Sequence, residues 1–179
     1  MGYNEENKRR MDVMYFIRNV KSEDLLKIEE IYAYARSFMA ENGNPNQWGR
    51  TDPPTAQLLA DIRENNLYAV TDETGIHGVF FFDLGEDPTY AAIYEGKWMD
   101  ESPYGTIHRI ASDGSGGIFA AALNFCKSRS NHIRIDTHED NFIMQHVLHK
   151  HGFVRCGIIY IEDGTSRIAF EYMGKSSEK

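Results

Sequence analysis

Hydrophobic positions in the first third of the chain follow two different spacings. Between residues 14 and 20, apolar and polar side chains alternate, which predicts a β-strand. Over residues 25–39 the apolar positions recur every three or four residues, as expected for a long amphipathic helix. Asn42-Gly43 predicts the end of this helix. A second helix is expected after the paired prolines Pro53-Pro54, since proline favours the first turn of a helix.

The remaining two thirds alternate between strand-like and helix-like patterns. Residues 67–70 and 78–84 are apolar and β-prone, and the polar segment between them predicts an antiparallel hairpin. A second hairpin is indicated by the Asp-Gly turn that follows residues 153–161. Between the hairpins we predict a strand over residues 106–111, a helix from about residue 118, a strand over residues 133–136 and a helix ending before Gly152.

Three residues are candidate helix boundaries. Ser22 and Thr137 each precede an apolar run at helical spacing, where a hydroxyl commonly caps the helix N-terminus. Gly152 follows the last such run, where a glycine commonly occupies the first position after the helix. The predicted boundaries therefore agree with the hydrophobic pattern.

The order of predicted elements is β-α-α-β-β-β-α-β-α-β-β. Hairpins near both ends and a β-α-β crossover in the middle predict an α+β fold with a mixed, mostly antiparallel seven-stranded sheet. Helices are expected on both faces, in an α/β/α arrangement. At 179 residues the chain is long enough for one domain, which we place at residues 13–179. Residues 1–12 are charged and lack periodicity, so we expect a loose N-terminal tail.

Composition narrows the classes of partner. The net charge is −8 and no dense basic stripe occurs, so we expect no nucleic-acid binding. No apolar run approaches the length of a membrane span, and we expect no membrane association and a cytoplasmic location. Cys126 and Cys156 lie in apolar patterns without metal or redox spacing, which predicts buried thiols.

A glycine-rich turn between a strand and a helix is the clearest chemical feature. Residues 113–117 read Asp-Gly-Ser-Gly-Gly and precede the helix that begins near Ile118. Several backbone N–H groups at a helix N-terminus form a favourable site for an anion. The turn therefore predicts binding of a phosphate or pyrophosphate group.

The element order and two segments resemble the GNAT superfamily of N-acetyltransferases over residues 15–173. Residues 133–153 carry a strand, Thr-His, Asn141, an apolar helix and Gly152-Phe153, which is similar to the family's second cofactor motif. The first motif, Gln/Arg-x-x-Gly-x-Gly/Ala, is kept only in part. With Gly117 as its central glycine, Gly114 replaces the Gln/Arg and Phe119 the final small residue.

The resemblance implies an acyl-CoA acyltransferase fold that binds acetyl-CoA between the fourth and fifth strands. Ile110 and Ala111 would then pair with the pantetheine amides. The pyrophosphate would be bound by backbone N–H groups of Gly114, Ser115, Gly116, Gly117 and Ile118. Asn141 matches the family's asparagine at the start of the following helix. The acetyl group would pass to a primary amine of a small molecule or a peptide.

Amine acetylation requires a group that accepts a proton from the attacking ammonium. His108 on the fourth predicted strand and His138 after the fifth are our candidate catalytic residues, with Glu95 a weaker base. Trp48 and Tyr94 are candidate substrate contacts because loop aromatics often line ligand pockets. Each histidine is alternatively structural, as a buried hydrogen-bonded residue or a local cap.

Two further positions bear on the chemistry. Many family members donate a proton to the leaving thiolate from a tyrosine, and the matching position here is Leu148. The acid is therefore another group, a water molecule, or unnecessary. His146, His149 and His151 match no zinc spacing, and we expect no metal.

Of two alternative functions, the first is rejected and the second stays open. A nicotinamide or flavin enzyme is suggested by Gly114-x-Gly116 after a strand and by Asp136 after the next, but Phe119 replaces the third glycine. A non-catalytic acyl-CoA-binding or sensor domain on the same fold is the main alternative, because a fold does not guarantee its usual chemistry. An exposed sheet edge would also allow a homodimer.

Overall fold

A single seven-stranded sheet with helices on both faces forms the fold in this computed structural model, which describes residues 13–174. The expected N-terminal tail, residues 1–12, lies outside the described residues. The strands are β1 (Phe16–Asn19), β2 (Leu67–Asp72), β3 (Gly75–Leu84), β4 (Gly105–Ser112), β5 (His132–Thr137), β6 (Val154–Tyr160) and β7 (Ser166–Met173). The α-helices are α1 (Leu25–Glu41), α2 (Thr55–Arg63), α3 (Ile118–Lys127) and α4 (Phe142–Lys150).

The strands lie in the order β1-β2-β3-β4-β5-β7-β6. All neighbouring pairs are antiparallel except β4 and β5, which are parallel and connected through α3. This confirms the predicted fold class, including both hairpins and the crossover between them. The one parallel pair lies in the middle of the sheet. Parallel strands run in the same direction, so the crossover helix α3 returns the chain to the end of the sheet at which β4 began.

Two cores lie on opposite faces of the sheet because successive side chains of a strand alternate between them. Helix α3 buries Ile118, Ala122, Leu123 and Cys126 on one face, against residues such as Phe80. Helix α1 buries Ile28, Ile31 and Tyr32 on the other face, against Val79 and its neighbours. Both cysteines are buried and unbonded, as predicted.

Two predicted helix caps were wrong. Ser22 begins a short 3-10 helix, and the side chain of Asp24 accepts the backbone N–H of Lys21 instead. Thr137 is the last residue of β5, and Asn141 caps α4 by accepting the N–H of Met144 at 3.0 Å. In both cases the residue nearest the helix start supplies the acceptor.

The aromatic segment between β3 and β4 contains short ordered elements. A 3-10 helix spans Pro88–Tyr90, and a single bridge pairs Tyr94 with Ile158 of β6. Tyr90 and Trp98 are buried against the sheet in a third core cluster. This segment therefore packs over β4, β5 and β7 on the same face as α1 and α2.

Candidate active site

Strands β4 and β5 separate soon after they meet. Only Gly105 with Ile133 and Thr106 with Arg134 are paired, although β4 continues to Ser112. Beyond Thr106 the β5-facing edge of β4 has no strand partner among residues 13–174. A cavity of about 910 Å³ opens at this separation and is lined from both faces of the sheet. Unpaired β4 backbone groups are therefore available to an extended ligand.

A bulge in β4 fixes the shape of this edge. Arg109 and Ile110 lie opposite the single residue Phe80, and Arg109 adopts a left-handed backbone with φ of +51°. Tyr32 of α1 donates its hydroxyl to the carbonyl of Arg109 at 2.8 Å. Asp61 of α2, which is buried, binds the Arg109 guanidinium. Helices α1 and α2 thus hold the strained residue in place.

The glycine turn enters α3 through Gly117, the N-cap residue, whose φ is +82°. The first N–H groups of α3 have no intrahelical acceptor and face the cavity end lined by Gly117, Ile118 and Phe119. No lysine lines the cavity, and its two arginines lie in β4 and β7, so backbone dipoles are the local source of positive potential. The start of α3 is therefore where the sequence predicts an anion site.

Seven of the eight predicted cofactor-binding residues line the cavity: Ile110, Ala111, Gly114, Ser115, Gly117, Ile118 and Asn141. Gly116 is the exception. Its carbonyl accepts a hydrogen bond from the Tyr15 hydroxyl at 2.9 Å, which ties the turn to the segment before β1. The structure therefore brings together most of the residues that the resemblance implied, from three separate elements.

Phe119 lies beside this turn, where the family has a small residue. Its ring contacts His151 at a centroid distance of 5.1 Å and Phe153 at 6.4 Å. The ring also lines the cavity. Phe119 therefore joins α3 to the end of α4 and narrows the space between the two helices.

His108 of β4 faces the cavity beneath the aromatic segment. Its Nε2 lies 2.7 Å from Asp87 Oδ2, and its Nδ1 lies 3.7 Å from Asp136 Oδ2. Burial would raise the pKa of Asp87, but the contacts with His108 and the N–H of Thr89 lower it to about 2. An ionised carboxylate only accepts hydrogen bonds, so Nε2 carries a proton, and in the neutral form of the ring the Nδ1 lone pair is then free.

Asp136, at the end of β5, completes this group. Tyr90 donates its hydroxyl to Asp136 Oδ2 at 2.7 Å. Burial, together with the nearby Asp136 charge, raises the pKa of Tyr90 well above its ordinary value. Tyr90 therefore remains a donor and holds the Asp136 carboxylate beside the open side of His108.

Of the other predicted site residues, only Trp48 lines the cavity. It packs edge-on against Tyr32 at 5.5 Å. Tyr94 is 53% exposed and contacts Tyr160, away from the residues that line the cavity. His138 accepts the N–H of Asp140 at 3.1 Å and does not line the cavity either. The roles predicted for Tyr94 and His138 stay predictions that this geometry does not support.

Helix α4 presents no ionisable side chain to the cavity. Its lining residues are Phe142, Ile143, Met144 and Val147. Leu148 is fully buried in the core beneath α3 and α4. The position that matches the family's tyrosine is thus a packing residue here.

Sequence reasoning missed three polar residues at the site: Gln47 and Arg167 line the cavity, and Asp87 contacts His108. Asp87 and Arg167 carried no motif, and Gln47 lies in a loop. Gln47 Oε1 accepts N–H groups from Asn44 at 2.8 Å and Asn141 at 2.9 Å, which joins the α1–α2 loop to α4. The only sequence signal was Asp87-Pro88, a common start for a short helix.

Comparisons with solved structures agree with this architecture. A GNAT-family acetyltransferase from Streptococcus agalactiae is 28% identical with a TM-score of 0.81, over 90% of this chain and 96% of that one. A GNAT-family acetyltransferase from Listeria monocytogenes is 16% identical with a TM-score of 0.66, over 89% and 94%. A Salmonella typhimurium protein solved with its cofactor acetyl-CoA is 11% identical with a TM-score of 0.60, over 92% and 96%.

A scan of family models and a search of curated proteins gave no match. The fold matches the GNAT acyl-CoA acyltransferase fold of these neighbours, as the sequence resemblance indicated. The structural likeness supports acetyl transfer in general.

Two searches of the described residues were negative. Among residues 13–174, no helix is both long and apolar enough to cross a membrane. Within the same part of the chain, no three His, Cys, Asp or Glu side chains come together as a metal site.

Proposed function

We propose that this protein transfers the acetyl group of acetyl-CoA to a primary amine of a small molecule or peptide by direct attack. The observation that carries the proposal is the continuous cavity, which joins the glycine turn at α3 to His108 through the gap between β4 and β5. An anion site at one end and an oriented base at the other match the two halves of this reaction.

Acetyl-CoA fits the cofactor half by the chemistry of its groups. The N–H groups at the start of α3 would bind the pyrophosphate, and the unpaired edge of β4 at Ile110 and Ala111 would bind the pantetheine amides. Bound acetyl-CoA would supply an activated thioester carbonyl. The protein's task is then to position the amine and to accept its proton.

His108 is the base in this proposal. Its Nε2–H donates to Asp87, which fixes the ring orientation and leaves the Nδ1 lone pair free. An ammonium group between Nδ1 and Asp136 would donate to both, since their separation of 3.7 Å is too long for a direct hydrogen bond. Asp136 therefore attracts the ammonium form, and His108 removes the proton that attack requires.

No acid is assigned to the leaving group. The α4 face that lines the cavity is apolar, so neither that face nor Leu148 supplies a proton to the thiolate. A thiolate leaves without protonation more readily than an alkoxide, because thiols are more acidic than alcohols. Water in the open cavity can protonate it afterwards.

The test measures release of free thiol from acetyl-CoA against a panel of amines, for the wild type and the His108→Gln variant. We expect amine-dependent release, with kcat reduced about 100-fold or more in the variant. His146→Gln is the matched control, because His146 is an exposed histidine on α4 that does not line the cavity.

The non-catalytic acyl-CoA sensor is the alternative on the same fold. The observation that favours it is that α4 presents no ionisable side chain to the cavity and that Leu148 is buried in the core. Tight acetyl-CoA binding without thiol release above hydrolysis for any amine would overturn the enzyme and support the sensor. Equal activity of the wild type and His108→Gln would instead remove His108 from the mechanism.

A further inference from the structure

Arg167 is a buried cation at the acceptor end of the cavity. It is the second residue of β7, it is 6% exposed, and it lines the cavity. Asp136 of β5 pairs directly with Ala169, and Arg167 is two residues from Ala169 on the same strand. Because side chains alternate along a strand, Asp136, Ala169 and Arg167 share one face of the sheet. Arg167 is therefore on the His108 side.

Every hydrogen-bond acceptor of Arg167 is neutral. Nη1 donates to Thr165 Oγ1 at 3.0 Å and to the Ser166 carbonyl at 2.9 Å, and Nη2 donates to the Gln47 carbonyl at 3.3 Å. Of the salt bridges among residues 13–174, none involves Arg167. A guanidinium has five N–H donors, so Nε–H and the second Nη2–H make no hydrogen bond within those residues.

A buried charge without a counter-ion is costly, and such charges are normally paired. The other arginine that lines the cavity illustrates this, because Arg109 is bound by the buried carboxylate of Asp61. Arg167 is more deeply buried than Arg109, yet its remaining donors have no carboxylate partner and lie on the cavity wall. The exposed carboxylate of Asp163 acts on Arg167 through space but forms no direct ion pair with it. A direct partner would therefore be an anion that enters the cavity.

We propose that Arg167 binds a carboxylate of the acceptor, so that the substrate is a small amino acid carrying a free amine and a carboxylate. This inference rests on the proposed function and specifies its acceptor. Diagonal neighbours on one sheet face are about 7–8 Å apart, so Arg167 and Asp136 fit the two ends of one small zwitterion. Asp136 and His108 bind the ammonium, and Arg167 binds the carboxylate.

The geometry also separates this acceptor from a diamine. Asp163 and Glu162 line the same cavity and would attract a second cation. Asp163, however, is exposed in the β6–β7 turn, and its Oδ1 accepts the N–H and hydroxyl of Thr165. Solvent screens an exposed carboxylate much more than a buried guanidinium. The buried charge of Arg167 therefore favours an acceptor with a carboxylate over a diamine.

The experiment compares acceptors that differ only in the carboxylate. Thiol release from acetyl-CoA is measured with α-amino acids, β-alanine and γ-aminobutyrate, each matched with its carboxamide, and with short diamines. We expect kcat/KM to be on the order of 100-fold higher for a preferred amino acid than for its carboxamide. The gain should lie mainly in KM, because Arg167 does not contact the reacting bond.

Variants identify the residue responsible. Arg167→Gln should raise KM for the amino acid on the order of 100-fold and leave kcat/KM for its carboxamide within about threefold of wild type. Arg167→Lys keeps the charge and should restore part of the affinity. The matched control is Arg155→Gln, since Arg155 is an exposed arginine on the neighbouring strand β6. This variant should leave kcat/KM unchanged for both substrates.

A binding measurement separates failure of this inference from failure of the enzyme function. Calorimetry measures binding of the preferred amino acid to the protein in the presence of free CoA, so it detects the carboxylate site without catalysis. If no amine is acetylated, all the amino acids are measured in turn. Binding to wild type but not to Arg167→Gln supports the inference even if no amine is acetylated. Equal use of amino acids and carboxamides, a preference for diamines, or equal binding by both proteins would overturn it.

Discussion

His77 and Asp113 join strand β3 to the glycine turn. His77 Nδ1 lies 2.9 Å from Asp113 Oδ2, and its Nε2 lies 2.9 Å from Asp72 Oδ1. Asp113 also accepts the N–H of Ser115 through its other oxygen at 3.0 Å. The carboxylate closest to the predicted pyrophosphate site is therefore engaged by a histidine and does not repel the anion freely.

The His77 contact predicts a pH-dependent affinity for acetyl-CoA. Burial lowers the pKa of His77, but hydrogen bonds to Asp113 and Asp72 outweigh it and raise the pKa above its ordinary 6.5. The stabilising charge is therefore complete below pH 6.5 and is lost as the pH rises through the raised value. We expect affinity to fall over that interval, measured by calorimetry between about pH 6 and about pH 9.

His77→Gln should remove that pH dependence and weaken binding at low pH on the order of tenfold. The groups facing His77 are Asp72, Asp113, Thr74, Ser115 and the ring of Tyr15. His146→Gln is the control because it leaves this cluster intact, and its pH profile of acetyl-CoA affinity should match that of the wild type. Titration of the coenzyme's own phosphates affects all three proteins equally. The same pH profile in His77→Gln and wild type would contradict the prediction.

Asp87→Asn should impair catalysis without removing His108. An asparagine amide can donate to Nε2, which would place the ring proton on Nδ1 and occupy the lone pair that accepts the amine's proton. We expect kcat to fall about 100-fold with a smaller change in the dissociation constant of acetyl-CoA. Asp83→Asn, a nearby exposed aspartate, is the control, and equal losses in both variants would point to a structural effect.

Asn141 is predicted to stabilise α4 and to position the acceptor loop through different atoms. Its Oδ1 caps the helix at Met144, and its Nδ2 donates to Gln47. Asn141→Ala should lower the free energy of unfolding by about 1 kcal/mol, since the cap is lost. Asn141→Asp keeps the acceptor and should stay near wild-type stability in urea unfolding.

The two Asn141 variants are then compared in activity. Both variants lose the hydrogen bond that Asn141 Nδ2 donates to the side chain of Gln47. The backbone carbonyl of Gln47 accepts a hydrogen bond from Arg167, so both variants should raise KM for the acceptor. A normal KM in Asn141→Asp would show that the link to Gln47 is not needed for binding.

Glu171 is a buried carboxylate that anchors the aromatic segment to β7. It accepts hydrogen bonds from Arg134 Nε at 3.0 Å and from the N–H of Met99, and it contacts His132. Glu171→Ala leaves the buried Arg134 without its counter-ion and should lower the free energy of unfolding by about 3–5 kcal/mol. Denaturant unfolding measures this, with the exposed Glu41→Ala expected to change stability by less than about 0.5 kcal/mol.

Local signals in the sequence predicted the elements well. Gly152 has φ of +85° directly after α4, and Asp163-Gly164 forms the β6–β7 turn, both as expected. The errors were at helix starts: Ser22 begins a 3-10 helix and does not cap α1, and Asn141 performs the role predicted for Thr137. A hydroxyl before an apolar run is only a preference, and the backbone direction that decides which side chain reaches the N–H groups depends on packing.

By itself, the sequence determined the order of strands and helices, the seven-stranded mixed sheet and the glycine turn before α3. Spacing and turn chemistry act over a few residues, so they can be read along the chain. Only the tertiary structure brought His108 to Asp87 and Arg167 to Gln47, residues 21 and 120 positions apart. Such pairs form because the fold brings loops and strands that are distant in sequence together, and no local pattern records which polar groups then meet.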